Sequence, residues 1–259
     1  MSAAGGRRAA IVAGAASGVG LATVEGAIAD GFVVVAIDRA GCPAALADRA
    51  ALHWVTGDIT SDATWDHAVA LARSIDPAGA QCLISCAGDA VFTPFLETSL
   101  DDYRRLFEIN ALGTLRGMLA VIPDMLERGA GAIAVVCSVD SLYTEAGMSA
   151  YSASKAALLQ IVRSAALEHA GAGLRINAVC PGAIDTPLLR RALESSDDPA
   201  GTLREHVKRI PVGQILRPDE VSSVLRFLVS DAASGLSGAA VTVDGGLTST
   251  YEFVGEPAS

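Results

Sequence analysis

Short apolar runs alternate with longer helical patterns along the whole chain. The runs cover residues 8–14, 32–38, 52–58, 81–88, 132–138, 174–180 and 239–246. Several, such as FVVVAID at 32–38, are apolar throughout, which is typical of parallel strands covered on both faces. Helical patterns fill 18–30, 61–75, 100–128, 149–170 and 218–230. The alternation predicts an α/β fold with a doubly wound, parallel, seven-stranded sheet, helices on both faces and right-handed crossovers.

The chain has 259 residues without a low-complexity linker or internal repeat, so we expect one domain over 1–259. Residues 183–217 interrupt the pattern with prolines and a charged stretch. Because this insertion follows a strand end, we expect a lid over the substrate, with a mobile linker as the alternative. Residues 247–259 are a tail too short to fold alone; it either packs across a subunit boundary or lies free.

The formal charge of −10 disfavours nucleic acid and anionic membranes as partners. No apolar run reaches the roughly 18 residues of a membrane span, and we expect no signal peptide. The 5 cysteines form no CxxC pair and the 4 histidines are scattered. We therefore expect a cytoplasmic protein with free thiols and no metal site.

A glycine-rich turn, AGAASGVG at 13–20, joins the first apolar run to the first helical pattern. Glycine permits a tight turn and lets a pyrophosphate approach backbone N–H groups at the positive end of a helix. No Gly-Lys-Ser/Thr follows, so an ATP-type loop is not indicated. The context predicts a Rossmann-type dinucleotide site that uses Gly14, Gly18 and Gly20.

The second run ends at Asp38, where an acid can accept hydrogen bonds from the adenosine ribose and repel a 2′-phosphate. Ser17, which is not basic, also favours NAD over NADP, whereas the neighbouring Arg39 weakens that choice. Asp58 closes the third run. It is equally well interpreted as a loop cap or, together with Ile59, as part of the adenine site.

Tyr151 precedes Lys155 by one helical turn in YSASK, so both side chains lie on one helix face. A phenol with an ordinary pKa near 10 is a poor base at neutral pH, and a nearby ammonium favours its ionised form. The pair therefore predicts a proton-transfer site with a lowered tyrosine pKa. The alternative, a surface tyrosine beside a solvated lysine, is disfavoured because the pair follows a strand ending at Ser138.

Together with CAG at 86–88, Asn110, PGAIDT at 181–186 and DGG at 244–246, these motifs resemble the short-chain dehydrogenase/reductase family over nearly the whole chain. The resemblance implies that Tyr151 is the general acid/base and that Ser138 holds the substrate oxygen. Lys155 would lower the tyrosine pKa and bind the nicotinamide ribose. Asn110 would hold a water that links Lys155 to solvent. The implied hydride transfer is between NAD(H) and a CH–OH group.

The glycine turn and the resemblance together give a set of cofactor-binding residues. These are Gly14, Ser17, Gly18, Val19, Gly20, Asp38, Asp58, Ile59, Cys86, Ala87, Gly88, Tyr151, Lys155, Pro181, Gly182, Ile184 and Thr186. The chain departs from the family pattern at Ala13, Cys86 and Cys137. The first two are expected to weaken the hydrogen bonds between the glycine turn and the fourth strand, and the third to be conservative.

The segment between Ser138 and Tyr151 and the start of the lid should line the substrate site. The candidate residues are Ser138, Leu142, Tyr143, Met148, Tyr151 and Leu188. Their apolar character predicts an uncharged, moderately hydrophobic secondary alcohol or ketone, hydroxysteroid-like or cyclic. Arg190, Arg191 and Arg204 are expected to be solvated charges paired with Glu194 and Asp197. The alternative is that these arginines bind an acidic substrate.

Three other functions fit parts of the pattern. An NADPH-dependent 3-oxoacyl-type ketoreductase differs mainly at the position of Asp38. A non-catalytic dinucleotide-binding sensor or scaffold would not need the Tyr151–Lys155 pair. Ser152 and Lys155 also spell SxxK, but the SDN and KTG triplets of the acyl enzymes with that motif are absent. The apolar helices 100–128 and 149–170 are expected to pair in a homo-oligomer, a tetramer or a dimer.

Overall fold

The computed structural model describes residues 8–194 and 196–249. It contains one parallel sheet of 7 strands in the order β3-β2-β1-β4-β5-β6-β7, and this confirms the predicted fold class. The strands are β1 Arg8–Ala13, β2 Phe32–Asp38, β3 Leu52–Thr56, β4 Cys82–Ser85, β5 Gly131–Val136, β6 Leu174–Pro181 and β7 Ala240–Val243.

Helices cover both faces of this sheet. They are α1 Gly18–Ala29, α2 Asp62–Ile75, α3 Leu100–Leu106, α4 Gly113–Arg128, α5 Ser149–His169, α6 Pro187–Glu194, α7 Pro199–Lys208 and α8 Pro218–Val229. Alternate residues of β1 enter separate cores: Ile11 packs with α2, α4 and α5, and Val12 packs with α1 and α8. Burial on both faces explains why the strand sequences are apolar throughout.

The long helical pattern at 100–128 forms three consecutive segments. A π-helical stretch, Phe107–Leu112, separates α3 from α4. By length and composition, Leu100–Arg128 is long and apolar enough to cross a membrane, but half of its most apolar 18-residue window is buried inside the fold. The buried half of its apolar residues packs inside the fold, as in the core helix of a globular protein.

The insertion at 183–217 contains α6 and α7, which the sequence pattern had not identified as helices. Its two ends are joined by backbone hydrogen bonds, from Leu216 N to Ala183 O at 2.9 Å and from Asp185 N to Leu216 O at 2.8 Å. The insertion therefore leaves the carboxyl end of β6 and returns to the same place, so that its two ends are held together. We refer to residues 183–217 as the lid, after the predicted role in covering the substrate, which stays a prediction.

The strand order changes direction between β1 and β4. β1 pairs with β2 on one side and with β4 on the other, through the register Ala10↔Cys82 to Ala13↔Ser85. Open α/β sheets form a crevice beyond the carboxyl ends of their strands at such a switch point. The predicted glycine turn lies at this place.

Candidate active site

The glycine turn is shaped by the backbone that it touches. Gly14 has a φ of 76°, and a side chain there would lie 2.6 Å from the backbone nitrogen of Ala87 after β4. At Gly20, a side chain would collide with the carbonyl oxygen of Gly14. Glycine is therefore required at position 14 for the turn to approach the chain after β4, and at position 20 for α1 to begin close to the turn itself.

The helix α1 begins at this glycine turn, and no side chain of its first turn caps the backbone N–H groups or offsets the helix dipole. Ser17 is the N-cap, and in the described chain its side chain makes no capping hydrogen bond and no acidic residue lies in the first helical turn. The backbone N–H groups and the positive end of the helix dipole thus remain available to an anion. This cradle fits the pyrophosphate of a dinucleotide.

A cleft of about 490 Å³ crosses the carboxyl edge of the sheet. All the predicted cofactor residues line it: Gly14, Ser17, Gly18, Val19, Gly20, Asp38, Asp58, Ile59, Cys86, Ala87, Gly88, Tyr151, Lys155, Pro181, Gly182, Ile184 and Thr186. The structure thus brings the predicted cofactor residues together in one cleft, and that they bind a cofactor stays a prediction.

At one end of the cleft, two carboxylates hold the surrounding loops. Asp38 accepts hydrogen bonds from Ala16 N at 2.9 Å and Ala40 N at 3.0 Å. Asp58 accepts from the backbone N–H and the hydroxyl of Thr60, both at 2.9 Å. The backbone hydrogen bond from Thr60 is the main cause that lowers the pKa of Asp58. Asp58 is thus both a loop cap and a cleft residue, so both of its proposed roles are compatible with its position.

Tyr151 and Lys155 lie on the first turns of α5 and face the cleft. The two residues are only 9% and 3% exposed. Lys155 Nζ donates a hydrogen bond to Val136 O at 2.8 Å and lies 5.9 Å from the centre of the Tyr151 ring. The ammonium is thus fixed to the end of β5, near the Tyr151 ring.

The pKa of Tyr151 is raised, in the opposite direction to the sequence prediction. Burial is the largest cause, a hydrogen bond with Ser138 acts against it, and the charge of Asp140 adds to the increase. Burial also lowers the pKa of Lys155. The prediction weighed the lysine charge but not the removal of water from the phenol, which disfavours the phenolate.

Asn110 lies in the π-helical stretch and is completely buried. Its side-chain oxygen accepts from Asp89 N at 2.8 Å, and its amide donates to Asp89 O and to Ser154 Oγ, each at 2.9 Å. A side chain on Gly88 would lie 3.2 Å from both Asn110 Oδ1 and Lys155 Nζ. Asn110 therefore links the loop after β4 to α5 and lies beside Lys155, and its role in holding a water stays a prediction.

Ser138 follows β5, and its hydroxyl is engaged by Asp140. Ser138 Oγ donates to Asp140 Oδ2 at 3.1 Å and accepts from Asp140 N at 3.1 Å. Burial raises the pKa of Asp140. The sequence placed residue 140 in the substrate wall, but nothing in its spacing indicated that its carboxylate faces the serine.

The substrate end of the cleft matches the prediction in part. Met148 and Leu188 line it, together with Ser138 and Tyr151. Leu142 and Tyr143 do not; they are 41% and 60% exposed. The short helical turn Val139–Ser141 after β5 directs the next two residues outward. The cleft is lined in addition by Phe92, Leu189, Leu193 and Ile210, which preserves its apolar character.

Arginines of the lid are paired, but with carboxylates other than those predicted. Two of the pairs join the lid to the opposite wall: Arg191–Asp89 at 3.3 Å and Arg209–Glu145 at 2.7 Å. Arg190 pairs with Asp185 at 2.8 Å and Arg204 with Asp198 at 3.8 Å. The expected partners Glu194 and Asp197 are replaced because the fold of α6 and α7 brings other acids closer.

Comparisons with known proteins agree with this geometry. A family model described as enoyl-(acyl carrier protein) reductase matches residues 14–248. The cis-4-hydroxycyclohexanecarboxylate dehydrogenase of Sinomonas cyclohexanicum is 38% identical, over 93% of this chain and 96% of its own. The chain belongs to the short-chain dehydrogenase/reductase family. It is an oxidoreductase of CH–OH groups that uses an NAD(P) cofactor.

Two further members of the short-chain dehydrogenase/reductase family extend the likeness. The 2-(R)-hydroxypropyl-CoM dehydrogenase of Xanthobacter autotrophicus is 35% identical, over 93% of this chain and 98% of its own. The solved structure of Thermoplasma acidophilum aldohexose dehydrogenase covers 98% of both chains with a TM-score of 0.87 and 28% identity. The similarity thus extends over whole chains and is not confined to the nucleotide-binding half.

The three departures from the pattern of the short-chain dehydrogenase/reductase family lie around the glycine turn and Lys155. Cys86 Sγ is 3.9 Å from Thr23 Oγ1 of α1, a weak hydrogen bond, and Ala13 has only backbone groups to offer. Burial raises the pKa of the Cys86 thiol to about 12, and the pKa of Cys137 is also raised. Both thiols therefore remain protonated and act as small apolar residues.

Proposed function

We propose that the chain is an NAD-dependent dehydrogenase/reductase that interconverts an uncharged, moderately hydrophobic secondary alcohol and its ketone. The observation that carries the proposal is one continuous cleft. The uncapped start of α1 and Asp38 lie at one end, and Ser138, Tyr151 and Lys155 lie at the other. When bound, NAD supplies the acceptor for the hydride. The protein supplies placement and proton transfer.

The proton transfer is assigned to Tyr151. In alcohol oxidation the phenolate oxygen takes the hydroxyl proton while the C–H bond electrons leave as hydride, and a ketone remains. Ser138 holds the reacting oxygen from the other side. Lys155, fixed by Val136 O, would bind the nicotinamide ribose of the cofactor and supply a positive charge there. The lid excludes water, which strengthens these polar interactions. Reduction runs through the same groups in reverse.

The choice of NAD rests on Asp38. Its carboxylate lies at the end of β2, held by the N–H groups of Ala16 and Ala40, where it would repel a 2′-phosphate. We expect Asp38→Asn to raise kcat/KM with NADP relative to NAD by about tenfold, since each 1.4 kcal/mol of repulsion removed is a factor of ten. Arg39→Ala is the matched control and should lower any residual NADP activity. A wild-type preference for NADP would instead favour the 3-oxoacyl-type ketoreductase.

The proposal of an uncharged substrate is based on the residues that line the cleft. Met148, Leu188, Leu189, Leu193 and Ile210 supply apolar surface. The arginines that line this end, Arg191 and Arg209, are already paired with Asp89 and Glu145. An anionic substrate would have to compete with a carboxylate for either arginine. A hydroxysteroid-like or cyclic alcohol needs no such exchange.

A carboxylated alcohol is the second candidate, because the Sinomonas relative is named for hydroxycyclohexanecarboxylate. It requires release of Arg191 or Arg209 from its acidic partner. The discriminating comparison is cis-4-hydroxycyclohexanecarboxylate against cyclohexanol. A KM for the carboxylate that rises selectively in Arg209→Ala would favour this second candidate.

The deciding experiment is an assay at 340 nm that offers NAD and NADP separately with hydroxysteroids, cyclic alcohols and diols. Tyr151→Phe should lower kcat by at least about 100-fold, the usual range for general acid–base catalysis, while NADH binding persists. Tyr143→Phe, outside the cleft, is the control and should turn over like wild type. Tight NADH binding without turnover of any alcohol would replace this proposal with the sensor or scaffold function.

A further inference from the structure

Five carboxylates line the cleft in the described part of the chain. Four of them either accept at least two hydrogen bonds or form an ion pair with an arginine. Asp38 accepts from Ala16 and Ala40, and Asp58 accepts twice from Thr60. Arg105 and Arg191 bind Asp89. Arg209 binds Glu145. The fifth carboxylate, Asp140, is the exception.

The Asp140 carboxylate is half-buried and has one hydrogen-bond donor, Ser138 Oγ, which contacts Oδ2 at 3.1 Å. Among the described residues, no donor reaches its second oxygen and no cation forms an ion pair with it. The nearby Arg209 is held by Glu145 at 2.7 Å. The second oxygen of the Asp140 carboxylate is therefore open to a hydrogen-bond donor supplied by a ligand in the cleft.

The position of this carboxylate relative to the reaction is defined by Ser138. Under the proposed function, Ser138 holds the oxygen that becomes the carbonyl, and Asp140 Oδ2 is 3.1 Å beyond the serine oxygen. Oxygens on neighbouring carbons of a substrate can lie about 2.8 Å apart, the length of one O–H···O hydrogen bond. A substituent next to the reacting carbon is therefore at the right distance to meet Asp140.

We propose that Asp140 determines substrate specificity by binding a hydrogen-bond donor on the carbon next to the reacting carbinol, so that the preferred substrate is a vicinal diol. The inference rests on the proposed function and narrows its substrate class. The substrate's second hydroxyl donates a hydrogen bond to the Asp140 carboxylate. The Ser138 hydroxyl can then turn from Asp140 and donate its hydrogen bond to the reacting oxygen. An ammonium group at the same carbon would supply the same donor, whereas an anionic substituent there would be repelled.

The test compares cyclohexanol with its 1,2-diol, 2-methoxy and 2-amino analogues, using the purified full chain with NAD. Wild type should show a kcat/KM for the diol about 10- to 100-fold above those of cyclohexanol and the methoxy ether, as expected for a hydrogen bond to a charged group. The ether fills the same space without the donor. A preference for the amine that depends on Asp140 also supports the donor site and identifies an ammonium as its source.

Two variants test whether the preference for the diol depends on Asp140. Asp140→Ala should bring the diol-to-cyclohexanol ratio of kcat/KM to about one, whatever it does to the cyclohexanol rate itself, and Asp140→Asn, which keeps the shape, should reduce that ratio by about 10-fold or more. Asp66→Asn, an exposed acid on α2, controls for the change in net charge. NADH binding and the melting temperature establish that each variant is folded. If Asp140→Ala does not fold, Asp140→Asn and the wild-type ranking decide.

The outcomes separate the two proposals. Turnover of cyclohexanol without preference for the diol or amine, or a preference unchanged in both variants, overturns the role of Asp140 and leaves the proposed function intact. Oxidation of other alcohols but of no member of this series also overturns it. Silence on every alcohol overturns the proposed function and this inference together.

Discussion

At the residue scale, if Tyr151 transfers the proton as we propose, its environment sets the pH range in which each direction of the reaction runs. Burial and the charge of Asp140 raise the phenol pKa, and the hydrogen bond with Ser138 opposes them. Alcohol oxidation needs the ionised phenol, whereas ketone reduction needs the protonated form. The direction of the pKa change therefore favours reduction at neutral pH and oxidation at alkaline pH.

This gives a prediction for the pH dependence. We expect kcat/KM for oxidation to rise with pH through the alkaline range and kcat/KM for reduction to fall over the same range. Asp140→Asn removes a negative charge that raises the Tyr151 pKa, so both profiles should move to lower pH. Rate measurements from about pH 7 to 11, a range that includes the ordinary tyrosine pKa near 10, check this. Profiles that do not move in the variant would show that Asp140 exerts no charge effect on Tyr151.

The residues of this site could be identified from the sequence because each follows a strand end or a helix start. Gly14, Asp38, Ser138 and Tyr151 all line the cleft as predicted. The direction of the Tyr151 pKa was not predictable, since it depends on how much water the folded chain removes from the phenol. The position of the Asp140 carboxylate depends on a side-chain direction, which a spacing pattern does not contain.

At the element scale, close packing of α2 on α4 depends on Gly117. A side chain at Gly117 would collide with the buried ring of Trp65. We expect Gly117→Ala to lower the free energy of unfolding by about 1–3 kcal/mol, the usual cost of overpacking. That is a fall in melting temperature of about 2–12 °C for a chain of this size.

Gly171→Ala is the matched control for this packing prediction. The space beside Gly171 is open, so the added methyl group should leave the melting temperature unchanged or raise it slightly. Thermal unfolding of the two variants beside wild type, followed by circular dichroism, makes the comparison. Equal melting temperatures for both variants would mean that Trp65 moves aside without cost.

The lid gives a second prediction at this scale. The Arg209–Glu145 pair joins it to the cleft wall at 2.7 Å, and both side chains are partly exposed. Exposed pairs are worth about 0.2–1 kcal/mol, so Arg209→Ala should raise the substrate KM by no more than about fivefold and reduce its dependence on salt. Arg204→Ala, whose partner Asp198 is also in the lid, should leave KM unchanged. A large fall in kcat would indicate a direct catalytic role for Arg209.

The sequence predicted the bounds of strands that are buried on both faces. It did not predict elements whose form depends on contacts with distant parts of the chain. β2 was identified over its exact observed range, 32–38, because each of its faces enters a core. The π-helical stretch inside 100–128 was missed because its sequence, FEINAL, is compatible with an ordinary helix. α6 and α7 were missed because neither contains a buried residue that would give an apolar period.

At the scale of the whole molecule, one helix face remains apolar and exposed. Leu112, Leu119 and Leu126 follow at intervals of seven residues, so they share a face, and Leu167 on α5 is also exposed. An exposed apolar helix face of this kind is typical of an interface between identical subunits. The homo-oligomer therefore stays a prediction with a defined surface.

We expect Leu119→Glu to dissociate this oligomer, because it places two like charges near a two-fold axis in addition to the existing negative charge. Leu119→Ala keeps the face apolar and should remain associated. Sedimentation velocity at several protein concentrations distinguishes the two. A wild-type chain that sediments as a monomer at every concentration would contradict the assignment of this face.

The pairing of β1 with β4 also has a consequence for how the chain folds while it is being synthesised. A growing chain that has emerged to residue 60 already carries the glycine turn, Asp38 and Asp58, but the wall against which the turn closes is still to be synthesised. Contacts between such distant segments form late. We therefore expect the cofactor to bind only after β4 has been made, and then to protect the folded protein from unfolding and proteolysis to a degree that grows with the logarithm of its concentration.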